Sequence, residues 1–441
     1  MSRILHFGVG NFSRAHQFWY TQNTNENWRI TGVSLRRPDI RDILKKQDFD
    51  YTLAIYSPQK ADFERVTILD DILVAPEDPD RVIQAVADPS VTIITITVTE
   101  KGYSIDPVTG TLDLEDAQIK TDLETGVPSS LMSFLANGLK ARADNKSGPL
   151  TILSCDNLSG NGDRLKSGVV AFAQQAGFEL ETYIEQEVAF PNSMVDRITP
   201  ATTEELKSDV FDKTGWKDQA PVATEQFSEW IIEDRFCSAR PDWNRAGARI
   251  VDDVSPYELR KLRLLNGPHS LLAYFGQLKR HRFVHEAIAD PEVLKNVQGL
   301  MREAMSTLPE PIRSESPAYC EELIERFSNP ALRHSLKQIA MDGTEKLPIR
   351  ILPVLQQFVS HGQEAPFVQH AIACWLAYVV RQNEERRPVD DPQSSRIAQI
   401  CRAHEDAAGK VNGLLELLDL TLSRSKEADQ LKDKAVQLAT I

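Results

Sequence analysis

The sequence predicts an α/β fold built on a doubly wound parallel sheet, joined to a second domain that is entirely helical. Three observations carry this. A short apolar run at residues 4–7 leads straight into a glycine turn and then a helical pattern. Residues 91–98, VTIITITV, are nearly all β-branched, the composition of a strand buried on both faces. After about Val254, strand-like runs vanish and apolar residues recur at helical spacing.

Taken in order, residues 4–7 form the first strand, and a helical stretch runs from the turn to about Gln22. Residues 29–35 form a second strand, and 38–46 open on proline as helices often do. Strands at 91–98 and 150–155 follow, separated by helical patterns near 79–87, 129–142 and 163–175. Alternating strand and helix is the signature of a doubly wound sheet. In the second half the clearest helices are 256–275, 291–305, 318–326, 330–339, 351–359, 367–380 and 411–422. The domains are therefore drawn at 1–254 and 255–441.

A chain of 441 residues is long enough for two large cores. Hydrophobic content of 41% and charged content of 26% are ordinary for a globular protein. The net charge of −14 argues against nucleic acid or an anionic membrane as a partner. It also requires that any anionic ligand be held by local positive groups. The cysteines, Cys155, Cys237, Cys320, Cys374 and Cys401, are odd in number, far apart and without a CxxC pair. They read as reduced intracellular thiols, not as a disulfide frame or a zinc knuckle. With no signal-peptide pattern at the start and no apolar run near 18 residues, the expected location is cytoplasmic.

Gly8 and Gly10, between a strand and a helix, stand where the dinucleotide fingerprint has physical meaning. The first glycine permits the tight turn, and the second lets backbone approach a pyrophosphate at a helix N-terminus. Ser13 replaces the third glycine. Arg14 opposes the helix dipole in the first turn, so an anion explains it better than helix stability does. After the second strand come Arg36, Arg37 and Asp39. An acid here suits the ribose of NAD, and arginines suit the 2′-phosphate of NADP. The sequence leaves NAD and NADP both open.

Residues 261–269, KLRLLNGPH, put an ammonium, a carboxamide and an imidazole on one short apolar segment. On a straight helix Asn266 falls about 140° and His269 about 80° from Lys261, within one broad face. Pro268 lacks an N–H and crowds the Leu264 carbonyl, so a kink or break is expected there. Taken alone, the favoured reading is an amphipathic helix with a surface Lys and a satisfied Asn and His.

Other motifs change that weighting. GVGNFSRAH (8–16), TVTEKGY (97–103), SCDNL (154–158), FPNSMVDRITP (190–200) and KLRLLNGPH (261–269) occur in this order along the chain. With EWIIED (229–234), RPDW (240–243) and MDGTEKLP (341–348), they resemble the polyol-specific long-chain dehydrogenases over nearly the whole chain. This is the family of mannitol 2-dehydrogenase and fructuronate (mannonate) reductase. The resemblance implies a Rossmann-type N-terminal domain, a helical C-terminal domain and catalysis in the cleft between them. It implies metal-independent hydride transfer with Lys261 as general base. Asn157 and Asn266 resemble the pair that stabilises the developing alkoxide, and His269 the residue that orients the substrate hydroxyl. Glu258 looks like the proton relay, and Asp196, Lys346 and Arg350 like substrate ligands. Gly8, Gly10, Asn11, Phe12, Arg14, Arg36, Thr99 and Glu100 fall on the cofactor side. Pro268 departs from the family, where a small residue is common.

Burial and a cationic nicotinamide would both lower a lysine pKa from near 10.4, which suits a general base. His281, His285 and Glu286 have metal-ligand spacing but no third ligand nearby, so a solvated helix face is preferred. The expected function is NAD(P)-dependent interconversion of a polyol of the D-mannitol type with its 2-ketose, D-fructose. The alternative keeps the mechanism and takes an aldonate, D-mannonate. A non-catalytic dinucleotide sensor is a third reading, against which an intact Lys261, Asn266, His269 and Asn157 set argues. A cleft within one chain is compatible with a monomer, and the sequence leaves the oligomeric state open.

Overall fold

The computed structural model describes residues 2–57, 60–106, 109–423 and 427–440; the side chains of Glu100, Leu332, Leu420 and Glu427 lie outside that description. The chain divides into two compact units, Met1–Ser255 and Pro256–Ile441.

The first unit holds twelve strands among the described residues: β1 (Arg3–Phe7), β2 (Arg29–Ser34), β3 (Tyr51–Tyr56), β4 (Ala61–Val66), β5 (Leu69–Val74), β6 (Val91–Ile96), β7 (Leu150–Ser154), β8 (Val188–Ala189), β9 (Ser193–Asp196), β10 (Val222–Glu225), β11 (Glu229–Glu233) and β12 (Arg249–Val251). Six of them form the main sheet in the order β5-β2-β1-β6-β7-β8, parallel throughout. From β1 the chain builds outward through β2 and β5. It then returns to β6 and builds the other way. The reversal lies between β1 and β6, which is where open α/β sheets bind their ligands.

Both faces of this sheet are covered, so its strands are apolar on both sides. Successive side chains serve opposite cores. Ile4, Ile93 and Leu153 join a cluster with Phe18, Trp230 and Trp243. Leu5, Ile94 and Ile152 join another with Val86, Phe134 and Phe172. The helices Pro79–Ala87, Leu131–Asn145 and Asn161–Gln175 contribute to the second core. Two three-stranded sheets, β10-β3-β4 and β12-β11-β9, stand beside the main one. The sequence reading missed them, together with β5 and β8.

The second unit is helical. Its centre is the Gly267–Leu278 helix against Pro366–Glu384, the latter buried almost continuously from Val368 to Val380. Glu427–Ala439 and Pro291–Ser306 pack on that centre. Two expectations need correction. Residues 330–339 are not one helix: a 3-10 turn, Pro330–Leu332, and a short helix, Leu336–Ile339, flank Arg333 at φ 28°, which no continuous helix tolerates. Residues 256–275 show no break at Pro268. The helix runs from Ser255–Lys261 through a π-helical turn, Leu262–Asn266, into Gly267–Leu278. The Gly267 N–H bonds the Leu262 carbonyl, five residues back. Pro268 then occupies the first turn of the following helix, where a missing N–H is tolerated. No described helix is long and apolar enough to cross a membrane.

Candidate active site

The turn after β1 lies at the carboxyl edge of the sheet. Gly8 donates its N–H to the Val33 carbonyl at 2.9 Å, and its own carbonyl accepts from the Thr97 hydroxyl at 2.8 Å. Its φ is +92°, and a Cβ would stand 2.0 Å from the Thr97 carbonyl oxygen, so only glycine fits. Gly10 is different. It is exposed, and a Cβ there would meet nothing closer than 3.9 Å. The protein's own packing does not demand that glycine, whereas close approach of a ligand to the backbone would.

Ser13, in the place of the third glycine, accepts from the Gly10 N–H at 3.0 Å and closes the turn. Below it, buried His6 bridges Thr95 Oγ1 at 2.8 Å and Thr97 Oγ1 at 3.0 Å. Burial lowers its pKa to about 3, so the imidazole is neutral. The helix beyond the turn is shorter than expected. Asn11–Ala15 ends at His16, and a second helix, Gln17–Gln22, begins there.

Arg14 departs from the expectation. Its guanidinium is buried and donates to the Ala220 carbonyl at 2.6 Å, to Asn11 Oδ1 at 2.7 Å and to the Gly10 carbonyl at 3.2 Å. The ring of Tyr51 lies 5.2 Å from its charge. Carbonyls and an aromatic face therefore account for this cation without an anion, and it braces the turn from behind. Asn11 is likewise engaged, donating to the Pro200 carbonyl and Thr202. Phe12 stacks on His16 at 5.0 Å. Past β2, Arg36 and Arg37 are exposed, and Arg37 pairs with Asp39 at 3.7 Å. Thr99 is exposed at the start of the 3-10 turn Glu100–Tyr103; the side chain of Glu100 lies outside the described residues.

Asn157 is exposed, three residues beyond the end of β7. Its neighbour Asp156 anchors the loop, accepting from the Tyr103 hydroxyl and from the Val98 N–H at 3.2 Å. Asn161 grips the loop from the other side, donating to the Asp156 carbonyl at 3.1 Å and the Ser193 carbonyl at 2.8 Å. Asp196 is buried at the end of β9, opposite Glu229 in register.

In the helical unit, Glu258 and Lys261 lie one turn apart on Ser255–Lys261, both partly buried. The π turn widens the helix after Lys261. An i→i+5 turn brings Asn266 nearer the Lys261 face than a straight helix would. Arg263 ties the turn down through two bonds to Thr307, its carbonyl and its hydroxyl, each 2.6 Å. His269 is buried, with the Phe327 ring 4.7 Å and the His334 ring 5.5 Å from its own. Burial lowers the pKa of His334. From the Gly343–Arg350 helix, Arg350 donates to the Asn266 carbonyl at 3.4 Å and Ser270 Oγ at 3.3 Å. Lys346 donates to the Met341 carbonyl at 2.6 Å and lies 3.5 Å from Asp342.

Two family models cover the chain: the mannitol dehydrogenase Rossmann domain at residues 2–245 and the mannitol dehydrogenase C-terminal domain at 253–432. The chain belongs to the mannitol dehydrogenase family. As a member, it is an oxidoreductase. It is 38% identical to D-mannonate oxidoreductase of Escherichia coli K12, over 94% of this chain and 88% of that one. To the mannitol 2-dehydrogenase of Phaeosphaeria nodorum it is 36% identical, over 89% and 72% respectively. The solved Pseudomonas fluorescens mannitol 2-dehydrogenase, a ternary complex with NAD and D-mannitol, superposes with a TM-score of 0.83 at 32% identity, covering 100% of this chain and 91% of that one.

Several residues around these groups escaped the sequence reading. Asp156, Asn161, Ser13, His6 and His334 all act on a candidate residue or on the turn. Asp156 sits directly before Asn157, and Ser13 in a fingerprint position, so both were open to inspection. The contacts of His6 and His334 depend on residues about 65 to 90 positions away in sequence.

Proposed function

We propose that this mannitol dehydrogenase family member is an NAD-linked oxidoreductase that interconverts D-mannonate with D-fructuronate. The observation that carries the choice of an aldonate is Arg350. Its guanidinium is held beside Asn266 and Ser270, next to the segment bearing Lys261. A carboxylate is the natural partner of such a fork. The D-mannonate oxidoreductase relative supports the same choice.

The glycine turn fits a dinucleotide, since Gly10 leaves open the space that a Cβ would fill. Gly8, Gly10 and the exposed Thr99 and Arg36 would hold it, and the cofactor would supply the hydride acceptor. Lys261 takes the hydroxyl proton as the carbinol carbon gives up its hydride, leaving a carbonyl. Asn157 and Asn266 donate to the oxygen as charge develops on it. One such donor typically contributes about 2.7–4 kcal/mol. His269 orients the hydroxyl. Glu258, one helical turn before Lys261, passes the proton to solvent. Asp196 and Lys346 hold the remaining hydroxyls. These roles need no metal, and activity should survive EDTA; inactivation that zinc reverses would overturn that.

Oxidation of D-mannitol to D-fructose is the second reading, supported by the D-mannitol in the structural neighbour. Arg350 and Lys346 would then donate to hydroxyls. Steady-state kinetics with D-mannonate, D-mannitol, D-arabinitol and D-sorbitol, each with NAD and NADP, decide. The expected result is the highest kcat/KM for D-mannonate with NAD. A preference for D-mannitol selects the second reading. Tight dinucleotide binding with no turnover of any of the four would point to a sensor.

A further inference from the structure

A cavity of about 470 Å³ opens in the helical unit where three helices end close together. Arg381 marks the convergence, donating to the Leu278 carbonyl at 2.7 Å and the Leu438 carbonyl at 3.4 Å from the last turn of its own helix. The wall carries Arg280, Arg282, Lys337, Arg381 and Arg387 against a single carboxylate, Glu385. Such a concentration runs against the formal net charge of −14.

Cations at helix C-termini have an ordinary use, offsetting the negative end of the dipole. Arg381 has that use. Arg387 is held by Glu385 at 3.0 Å. Neither account covers the other three. Among the described residues, Arg280, Arg282 and Lys337 form no ion pair, and Lys337 comes from the separate Leu336–Ile339 helix. Arg280 adopts φ +68°, just past the C-cap Lys279, where glycine is the usual occupant. Cations gathered round a concave surface repel one another and focus a positive potential into it.

We propose that this cavity binds a small phosphate-bearing anion, a sugar phosphate in size. Guanidinium forks match pairs of phosphate oxygens, and the ammonium of Lys337 adds a point charge. The volume exceeds what a bare phosphate fills and lies in the range of ligand pockets. Lys261, Asn266 and His269 stand at the opposite end of the Gly267–Leu278 helix, roughly 16 Å away along its axis. The anion site is thus separate from the catalytic segment and mechanically joined to it.

Calorimetric titration of the full chain with inorganic pyrophosphate and with D-glucose 6-phosphate, at saturating NAD to occupy the dinucleotide site, tests this. Both probes should bind. The double charge reversal Arg282→Glu with Lys337→Glu, at two exposed positions, should weaken them at least about tenfold and leave kcat unchanged. Lys337→Gln alone should weaken binding by a smaller factor, which keeps the test valid if the reversal misfolds. Absence of binding to the unaltered chain, or equal affinity in the variants, would overturn the site. Citrate binding more tightly than either probe would overturn the assignment to phosphate.

Discussion

The hydroxyl of Tyr103 donates to the carboxylate of Asp156, and that bond holds the loop on which Asn157 stands. The same hydroxyl lies 2.6 Å from Ser154 Oγ. Tyr103→Phe removes both contacts inside the protein while keeping the ring. Stability should fall by about 1–3 kcal/mol, the usual result of leaving a buried partner unmatched. If the loop positions Asn157, kcat should fall too, with the dissociation constant for NADH little changed. Thermal melting and NADH fluorescence titration separate the two effects. Undiminished kcat would remove Asp156 from the machinery.

The two glycines of the turn should fail in different ways. Gly8→Ala places a methyl group against the Thr97 carbonyl in a left-handed conformation. Both the melting temperature and dinucleotide affinity should drop. Gly10→Ala has room within the protein itself. Its melting temperature should match the parent, while dinucleotide affinity falls. A Gly10→Ala chain that binds NADH normally would mean that backbone approach at this residue is not used.

Two buried histidines set a pH limit on stability. Burial lowers His6 and His370 to about 3. In the unfolded chain each titrates near 6.5. Below that value the unfolded state takes up protons that the folded state refuses, so stability is full above pH 6.5 and is lost as pH falls toward 3. Each histidine contributes a loss of up to about 1.4 kcal/mol per pH unit in this window. Urea midpoints measured from pH 7 to pH 4 should show it. His370→Leu should flatten the slope, and an unchanged slope would refute the assignment.

Lys261→Ala should lower kcat by about 10²–10⁴-fold, the range for a general base. It should also abolish the ionisation seen in the pH dependence of kcat and leave NADH affinity nearly intact. Turnover near that of the parent would exclude Lys261 as the base.

The fold class could be read from the chain because its strongest signals are local. The β-branched run at Val91–Ile96 and the helical spacing after Val254 depend only on neighbouring residues. The side sheets had no such signal. β11 is five residues long, and its antiparallel partner β9 ends more than thirty residues earlier. The site divided in the same way. Gly8, Gly10 and Lys261 belong to compact motifs. Arg14 was misread because the carbonyl that satisfies it belongs to Ala220, 206 residues away. The dipole argument was sound for an isolated helix; tertiary contacts overrode it. Pro268 was expected to break the segment because the rule applied to it assumes an α-helix around it, and the widened turn just before it alters that premise.

The π turn at Leu262–Asn266 amounts to one residue more than an α-helical path needs. Removing any one residue of this stretch would let the helix close up as an ordinary α-helix, and the helical core could still assemble. Everything after the deletion would, however, swing by about 100° relative to Lys261. Asn266 and His269 would then face other neighbours. At this point the length of the chain, counted in single residues, sets the aim of the chemistry, and a deletion that folding tolerates would leave a well-made protein with nothing to do.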